Sequence, residues 1–149
     1  MKIGKVLLAM FALCSLCFST TTPDAVLQTP AVQAQLVTLY KRASLTYMNS
    51  DHHEEYSFTV KANGAPNEIT SSESFNSNVV VVKSSDTAIV HTHPATCKPQ
   101  PSPGDIQVAQ RSGVPNYELS RDALYVAMPD GTVRKVGNVN LKHGVLEIK

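Results

Sequence analysis

Two short stretches decide how this chain is read: Thr87-Ala88-Ile89-Val90-His91-Thr92-His93-Pro94 and, seven residues later, Ser102-Pro103-Gly104-Asp105. Thr87 to Val90 has the composition of a buried strand, and it delivers His91 at its C-terminal end. Side chains of an extended segment repeat every two residues, so His91 and His93 point the same way. Pro94, Pro99, Pro101 and Pro103 punctuate the connection. Each fixes φ, which makes the loop 94–103 stiff despite its length. Ser102 has the chemistry of a helix N-cap, with Pro103 at the first helical position and Asp105 at the third. The helix is expected to run to about Arg111 and to end near Ser112-Gly113. If its start packs beside the strand end, two imidazoles and one carboxylate converge. That is a three-ligand shell with one open position, the layout of a catalytic rather than a structural zinc.

The flanking sequence supplies the rest of a fold. Val32, Leu36, Leu39, Ala43 and Tyr47 recur at helical spacing, which predicts an amphipathic helix over 31–47. Asn49 to His53 breaks it. From Glu55 to Lys61 the chain alternates, with Tyr56, Phe58 and Val60 on one side and Glu55, Ser57 and Thr59 on the other. This is a strand with one buried face. Ala62-Asn63-Gly64-Ala65-Pro66 is turn chemistry, and 67–75 reads as a weak strand. Val79-Val80-Val81-Val82 reads as a strong buried strand. Further strands are expected at 116–119, 123–128 and 132–136, the last two joined by Pro129-Asp130-Gly131, and a final one over 144–148. Helix, strands, helix, strands predicts an α/β domain, a mixed sheet with helices packed on it.

The N-terminus reads differently. Met1 to Lys5 is short and basic, and Val6 to Phe18 is apolar throughout. That is the layout of a secretory signal peptide, too short for a comfortable membrane span. A retained interfacial helix is the alternative. With cleavage expected after Ser19, residues 1–19 leave, 20–30 form a flexible lead-in, and 31–149 form the domain. Lys2 and Lys5 leave with the signal, so the 13 basic residues become 11 against 12 acidic ones, a net charge of −1. Nothing in that balance selects nucleic acid or an anionic membrane surface as a partner. Of three cysteines only Cys97 stays, which excludes an internal disulfide after cleavage. The mature protein is expected to be exported, periplasmic or secreted, with no stable membrane span.

The set His91-x-His93-Pro94, seven residues, Ser102-x-x-Asp105 resembles the motif of the JAMM metallopeptidases, also called MPN or JAB domains. The likeness covers about residues 55–130; beyond the motif it is one of topology. It implies a curved sheet flanked by helices, of cytidine deaminase-like architecture. It also implies one zinc per chain held by His91, His93 and Asp105, with Ser102 stabilising the tetrahedral intermediate and an upstream glutamate as general acid and base. Glu54, Glu55, Glu68 and Glu73 are the acids available. Glu55 is favoured because Glu55-Tyr56-Ser57 resembles the glutamate-aromatic-small start of the catalytic strand in some bacterial relatives, although it lies opposite the apolar face of its strand. The implied reaction is hydrolysis of a peptide or isopeptide amide through a zinc-activated water. For an exported chain the implied substrates are a peptide, an isopeptide-linked protein or a peptidoglycan peptide. Two readings compete: a non-catalytic zinc-containing module of the same fold, and a nucleobase deaminase. The latter would need a Pro-Cys-x-x-Cys run, which is absent. His52 and His53 are a second metal-capable pair that reads better as a solvated turn, and His143 reads as a surface residue.

Overall fold

The computed structural model describes residues 23–47, 54–72, 80–94 and 97–149. These residues form a short 3-10 helix (Pro23–Gln28), helices α1 (Pro30–Tyr47) and α2 (Pro103–Ser112), and seven strands. The strands are β1 (Tyr56–Lys61), β2 (Thr70–Ser71), β3 (Asp86–Thr92), β4 (Asn116–Leu119), β5 (Ala123–Ala127), β6 (Val133–Lys142) and β7 (Val145–Ile148). They lie in one sheet in the order β2-β1-β3-β4-β5-β6-β7. Only β3 and β4 run parallel; every other neighbouring pair is antiparallel. The parallel pair follows from its connection. β3 leaves through the proline loop and α2, and a crossover of that kind returns the chain in its original direction. The α/β class with a mixed sheet is therefore as expected.

Helix α1 begins where Thr29 Oγ1 accepts a hydrogen bond from the Val32 amide, with Pro30 at the first helical position. Its stripe of Val32, Leu36, Leu39 and Ala43 is buried. The stripe meets Phe58 and Val60 of β1, Val90 of β3, Tyr117 and Leu119 of β4, and Leu124 and Val126 of β5. These strand residues are spaced by two, so one sheet face carries the apolar core. Each large side chain so buried contributes about 1.5–3 kcal/mol. α1 packs against β1 and also against β7, although β3 to β6 lie between them in the sheet. Contact with two strands so far apart in the sheet requires it to curl around the helix.

The opposite face is polar at the centre. Ser57, Thr59, His91, Asn116, Glu118 and Ser120 are all buried there, with Ile89 among them. α2 packs over this face against β4 and β5 and buries Ala109. The division of the sheet into an apolar α1 face and a polar α2 face positions the site.

Several expectations are corrected. Residues 23–30 are no loose lead-in, because Pro23–Gln28 is a 3-10 helix and Leu27 is fully buried in the core. Asp24 ties it down, its Oδ1 accepting from the Tyr117 hydroxyl at 3.1 Å and from Arg134 Nη2 at 2.7 Å. The predicted strand at 79–82 is absent over Val80, Val81 and Val82, and Val81 is 73% exposed; Val79 lies outside the described residues. Four valines in a row have β-propensity but no alternation, and both edges of β1 are already taken by β2 and β3. The weak strand at 67–75 is reduced to Thr70–Ser71, with 73–75 outside the described residues. β6 runs on to Lys142 and turns into β7 through His143 and Gly144, at φ 50° and 81°. Two successive left-handed residues are what a tight hairpin needs. The expected signal peptide, 1–19, lies outside the described residues. Among the described residues no helix is long and apolar enough to cross a membrane.

Candidate metal centre

β3, β4 and the start of α2 build the site. Parallel pairing sets Ile89 beside Asn116 and His91 beside Glu118. Two residues on from His91, His93 faces the same way as the strand ends. α2 opens with a capping box: the Asp105 amide donates to Ser102 Oγ at 3.3 Å, and the Ser102 amide donates to Asp105 Oδ2 at 2.7 Å. The Ser102 hydroxyl donates to the same oxygen at 2.6 Å. The carboxylate is thus fixed before any ligand arrives, and its Oδ1 is left turned toward β3.

His91, His93 and Asp105 converge. His91 Nε2 lies 3.3 Å from Asp105 Oδ1, and His93 Nε2 lies 3.3 Å from Asp105 Oδ2. With zinc–nitrogen bonds of about 2.0–2.1 Å, neighbouring ligand atoms of a tetrahedron stand about 3.3–3.4 Å apart. The rings are 5.2 Å apart between centroids and tilted by 58°, so their lone pairs approach from different directions.

The outer ring nitrogens decide which lone pair faces the centre. His91 Nδ1 is 3.1 Å from Asn116 Oδ1, and Asn116 Nδ2 donates to the Asp105 carbonyl at 3.2 Å. The second bond orients the amide, so the oxygen faces His91 and Nδ1 carries the hydrogen. His93 Nδ1 donates to the Lys98 carbonyl at 3.0 Å. Both neutral rings then present an Nε2 lone pair to a carboxylate oxygen. Acceptor facing acceptor is repulsive unless a cation stands between them. His91 Nε2 is buried and has no hydrogen-bond partner, which fits a metal ligand.

In the metal-free chain that cation is a proton. Burial opposes charge on both rings, but Asp105, joined at His93 by Glu118 and the Lys98 carbonyl, outweighs it and holds both histidines above the ordinary 6.5, with His93 pushed up to about 11. Burial likewise raises the Asp105 carboxyl, and the two imidazoles and Ser102 overcome it, holding the group well below the usual carboxylate range.

The structure adds Glu118, which the sequence reading did not single out. It is fully buried and lies with His91, His93 and Asp105 in one group whose potential ligand atoms are all within 4.8 Å of one another. Its Oε1 comes within 2.7 Å of His93 Nδ1, yet neither carboxylate oxygen has the geometry of a hydrogen bond. Burial pushes its carboxyl up, against the pull of His93 and His91.

A cleft of about 320 Å³ opens onto the group. Glu55 and Ser102 line it together with His91, His93 and Asp105, so all five predicted site residues face one space. The β1–β3 register pairs Ser57 with His91. Continued two residues outward, it brings Glu55 opposite His93 and on the same face. The orientation away from Tyr56 and Phe58 is what turns Glu55 to the histidines. Glu54 alternates to the other side, where its carboxylate accepts from the Tyr56 hydroxyl at 2.5 Å. Val80, Ile89 and Val108 form the apolar wall. Glu68 is exposed and lines a different cleft, while His52, His53 and Glu73 lie outside the described residues. Cys97 is exposed, in a separate cleft on the far side of His93 with Arg121 and Asp122. A larger cleft of about 530 Å³, between the 3-10 helix, the β1–β2 turn and the β5–β6 hairpin, gathers no group of ionisable side chains. Comparison of the chain with protein-family models, with curated proteins and with solved structures finds no match.

Proposed function

We propose that this chain is an exported zinc-dependent hydrolase of JAMM type, acting on a peptide or isopeptide amide. One observation carries the reading: two histidine lone pairs and one carboxylate, each held from behind by a hydrogen bond, converge on a point at the edge of a cleft. His91, His93 and Asp105 hold the metal. When bound, zinc polarises the scissile carbonyl and lowers the pKa of a water to about 7.

The remaining steps belong to the chain. Glu55, on the face of the histidines, accepts the water's proton and returns it to the leaving amine. Ser102 donates to the developing oxyanion once ligand binding releases its hydroxyl from Asp105. Val80, Ile89 and Val108 exclude water beside the reacting atoms and accept an aliphatic group such as the stem of a linked lysine. Substrates outside the cytoplasm that combine an amide with such a stem include isopeptide-linked proteins and peptidoglycan cross-links.

The test has two parts. Elemental analysis of the purified full chain is expected to find one zinc per chain. Mass spectrometry of lysine-linked peptides and peptidoglycan fragments, with and without chelator, is expected to show chelator-sensitive cleavage. A protein without zinc after zinc-supplemented expression refutes the reading. A zinc-loaded protein that cleaves no amide in either set refutes the hydrolase and leaves a zinc-binding module.

A further inference from the structure

Among the described residues, Glu118 has both side-chain oxygens buried without a hydrogen bond. It is a carboxylate of zero exposure, on the central strand of the sheet. Burying a carboxylate costs several kcal/mol unless it is well paired, and a buried group whose hydrogen bonds are unmade calls for an explanation such as an absent ion. Its neighbours give one. β3 and β4 set it beside His91 in register, and Oε1 stands 2.7 Å from Nδ1 of His93, the nitrogen turned away from Asp105.

Charge arithmetic points the same way. Two neutral imidazoles and one aspartate give the ligand shell a charge of −1. A divalent cation makes it +1, in a place where His91 and His93 are buried and the Asp105 side chain is 19% exposed. Adding the Glu118 carboxylate brings the buried group to zero. A carboxylate behind a metal-bound imidazole also makes that ring a better donor to the metal.

We infer that Glu118 is a positioning residue of the metal site, acting through His93 and balancing the charge of a divalent ion held by His91, His93 and Asp105. The inference rests on the metal reading proposed above. It concerns affinity and coordination, and holds whether or not the loaded protein is a hydrolase. Glu118 stands on the Nδ1 side of His93, so it is not itself a ligand.

The experiment compares the full chain with Glu118→Gln, which keeps the shape and removes the charge. Zinc affinity is read by competition with a chromophoric chelator, and the site by the visible spectrum of the cobalt-substituted protein. Glu118→Gln is expected to bind zinc about 10- to 100-fold more weakly, with shifted cobalt bands and an unchanged number of ligands by X-ray absorption. Unchanged affinity and spectrum overturn the inference while leaving the metal site in place. Loss of one ligand in X-ray absorption also overturns it, by making Glu118 a direct ligand. Wild-type protein that takes up neither zinc nor cobalt sinks the metal reading itself, a separate outcome visible before any variant is made. If Glu118→Gln does not fold, Glu118→Asp and Glu118→Asn carry the same comparison. The Asp variant is then expected to bind zinc at least tenfold more tightly than the Asn variant, at about the lower bound for such partners, and equal affinities overturn the assignment.

Discussion

Asn116 holds the ring of His91 from behind. Its Oδ1 accepts from His91 Nδ1 at 3.1 Å, and its Nδ2 donates to the carbonyl of Asp105 at 3.2 Å. One amide therefore joins two of the three ligands, one on β3 and one at the start of α2. Asn116→Ala is expected to leave a folded protein that binds zinc about 10- to 100-fold more weakly. Zinc titration beside a circular dichroism spectrum checks this, and a variant with wild-type affinity would show that the strand and helix alone orient the ligands.

Leu27 tests where the domain begins. It precedes Pro30, the first residue of α1, yet it is fully buried against the core. Leu27→Ala is expected to destabilise the protein by about 2–5 kcal/mol, the range for removing a buried leucine. Denaturant unfolding measures it. A loss under about 0.5 kcal/mol, typical of surface substitutions, would restore 23–30 to the status of a lead-in.

What was legible in the sequence follows from how local each signal is. His91, His93, Ser102 and Asp105 sit on elements whose periods and caps are written in adjacent residues, and the structure brings them together as their spacing implies. Helix α1 announced itself through Val32, Leu36, Leu39 and Ala43. Glu118 was hidden because a glutamate in a short strand ordinarily faces water. The alternation Asn116-Tyr117-Glu118-Leu119-Ser120 did carry a signal, since it sets Glu118 on the face away from buried Tyr117 and Leu119. Its meaning depends on β4 lying parallel beside β3, a non-local fact. Val80 to Val82 failed for the opposite reason: local propensity was high, but both edges of the neighbouring β1 were already taken by β2 and β3.

The acid–base state of the site predicts how zinc binding depends on pH. In the metal-free chain both histidines are raised above 6.5, and His93, at about 11, holds its proton at neutral pH. Zinc must displace any proton on these rings. Apparent affinity is therefore expected to rise with pH, about tenfold per unit for each proton released. The sign for the metal-free fold is opposite. A raised histidine pKa stabilises the folded state fully below 6.5, and that contribution is lost as pH rises toward about 11. Thermal melts in chelator should fall over that window while the gain from added zinc grows. Calorimetry in buffers of different ionisation enthalpy counts the protons, and a pH-independent affinity would contradict the assigned protonation.

Ser102 has two separable roles. As N-cap of α2 it accepts from the Asp105 amide, and its hydroxyl donates to Asp105 Oδ2. Ser102→Ala is expected to lower stability by about 1 kcal/mol through the lost cap. If the hydroxyl also serves the oxyanion, turnover falls by about 100- to 1,000-fold. Ser102→Asp restores a capping acceptor but sets a second carboxylate against Asp105, so it is expected to weaken zinc binding as well as abolish turnover. Unfolding, zinc titration and kinetics on the three proteins separate the effects; full activity in Ser102→Ala confines the residue to the cap.

Glu55 decides between an enzyme and a binding module. It lines the cleft with the three ligands, on the face of β1 that pairs Ser57 with His91, whereas Glu54 is engaged by Tyr56 on the other side. A general base must take up a proton, and glutamine, nearly the same in shape, does not at neutral pH. Glu55→Gln is therefore expected to keep the fold and the zinc and to lose about 100- to 10,000-fold in turnover. Substrate binding is expected to survive, because ground-state contacts do not require the transfer. Glu54→Gln is the control and is expected to turn over normally, with at most a modest loss of stability from the bond to Tyr56. Zinc analysis, single-turnover kinetics and substrate binding on both variants read these effects separately. Loss of zinc from Glu55→Gln would make Glu55 a support of the metal rather than a base. Normal turnover in Glu55→Gln with loss in Glu54→Gln would move the base across the strand, against the register that places Glu55 beside His93.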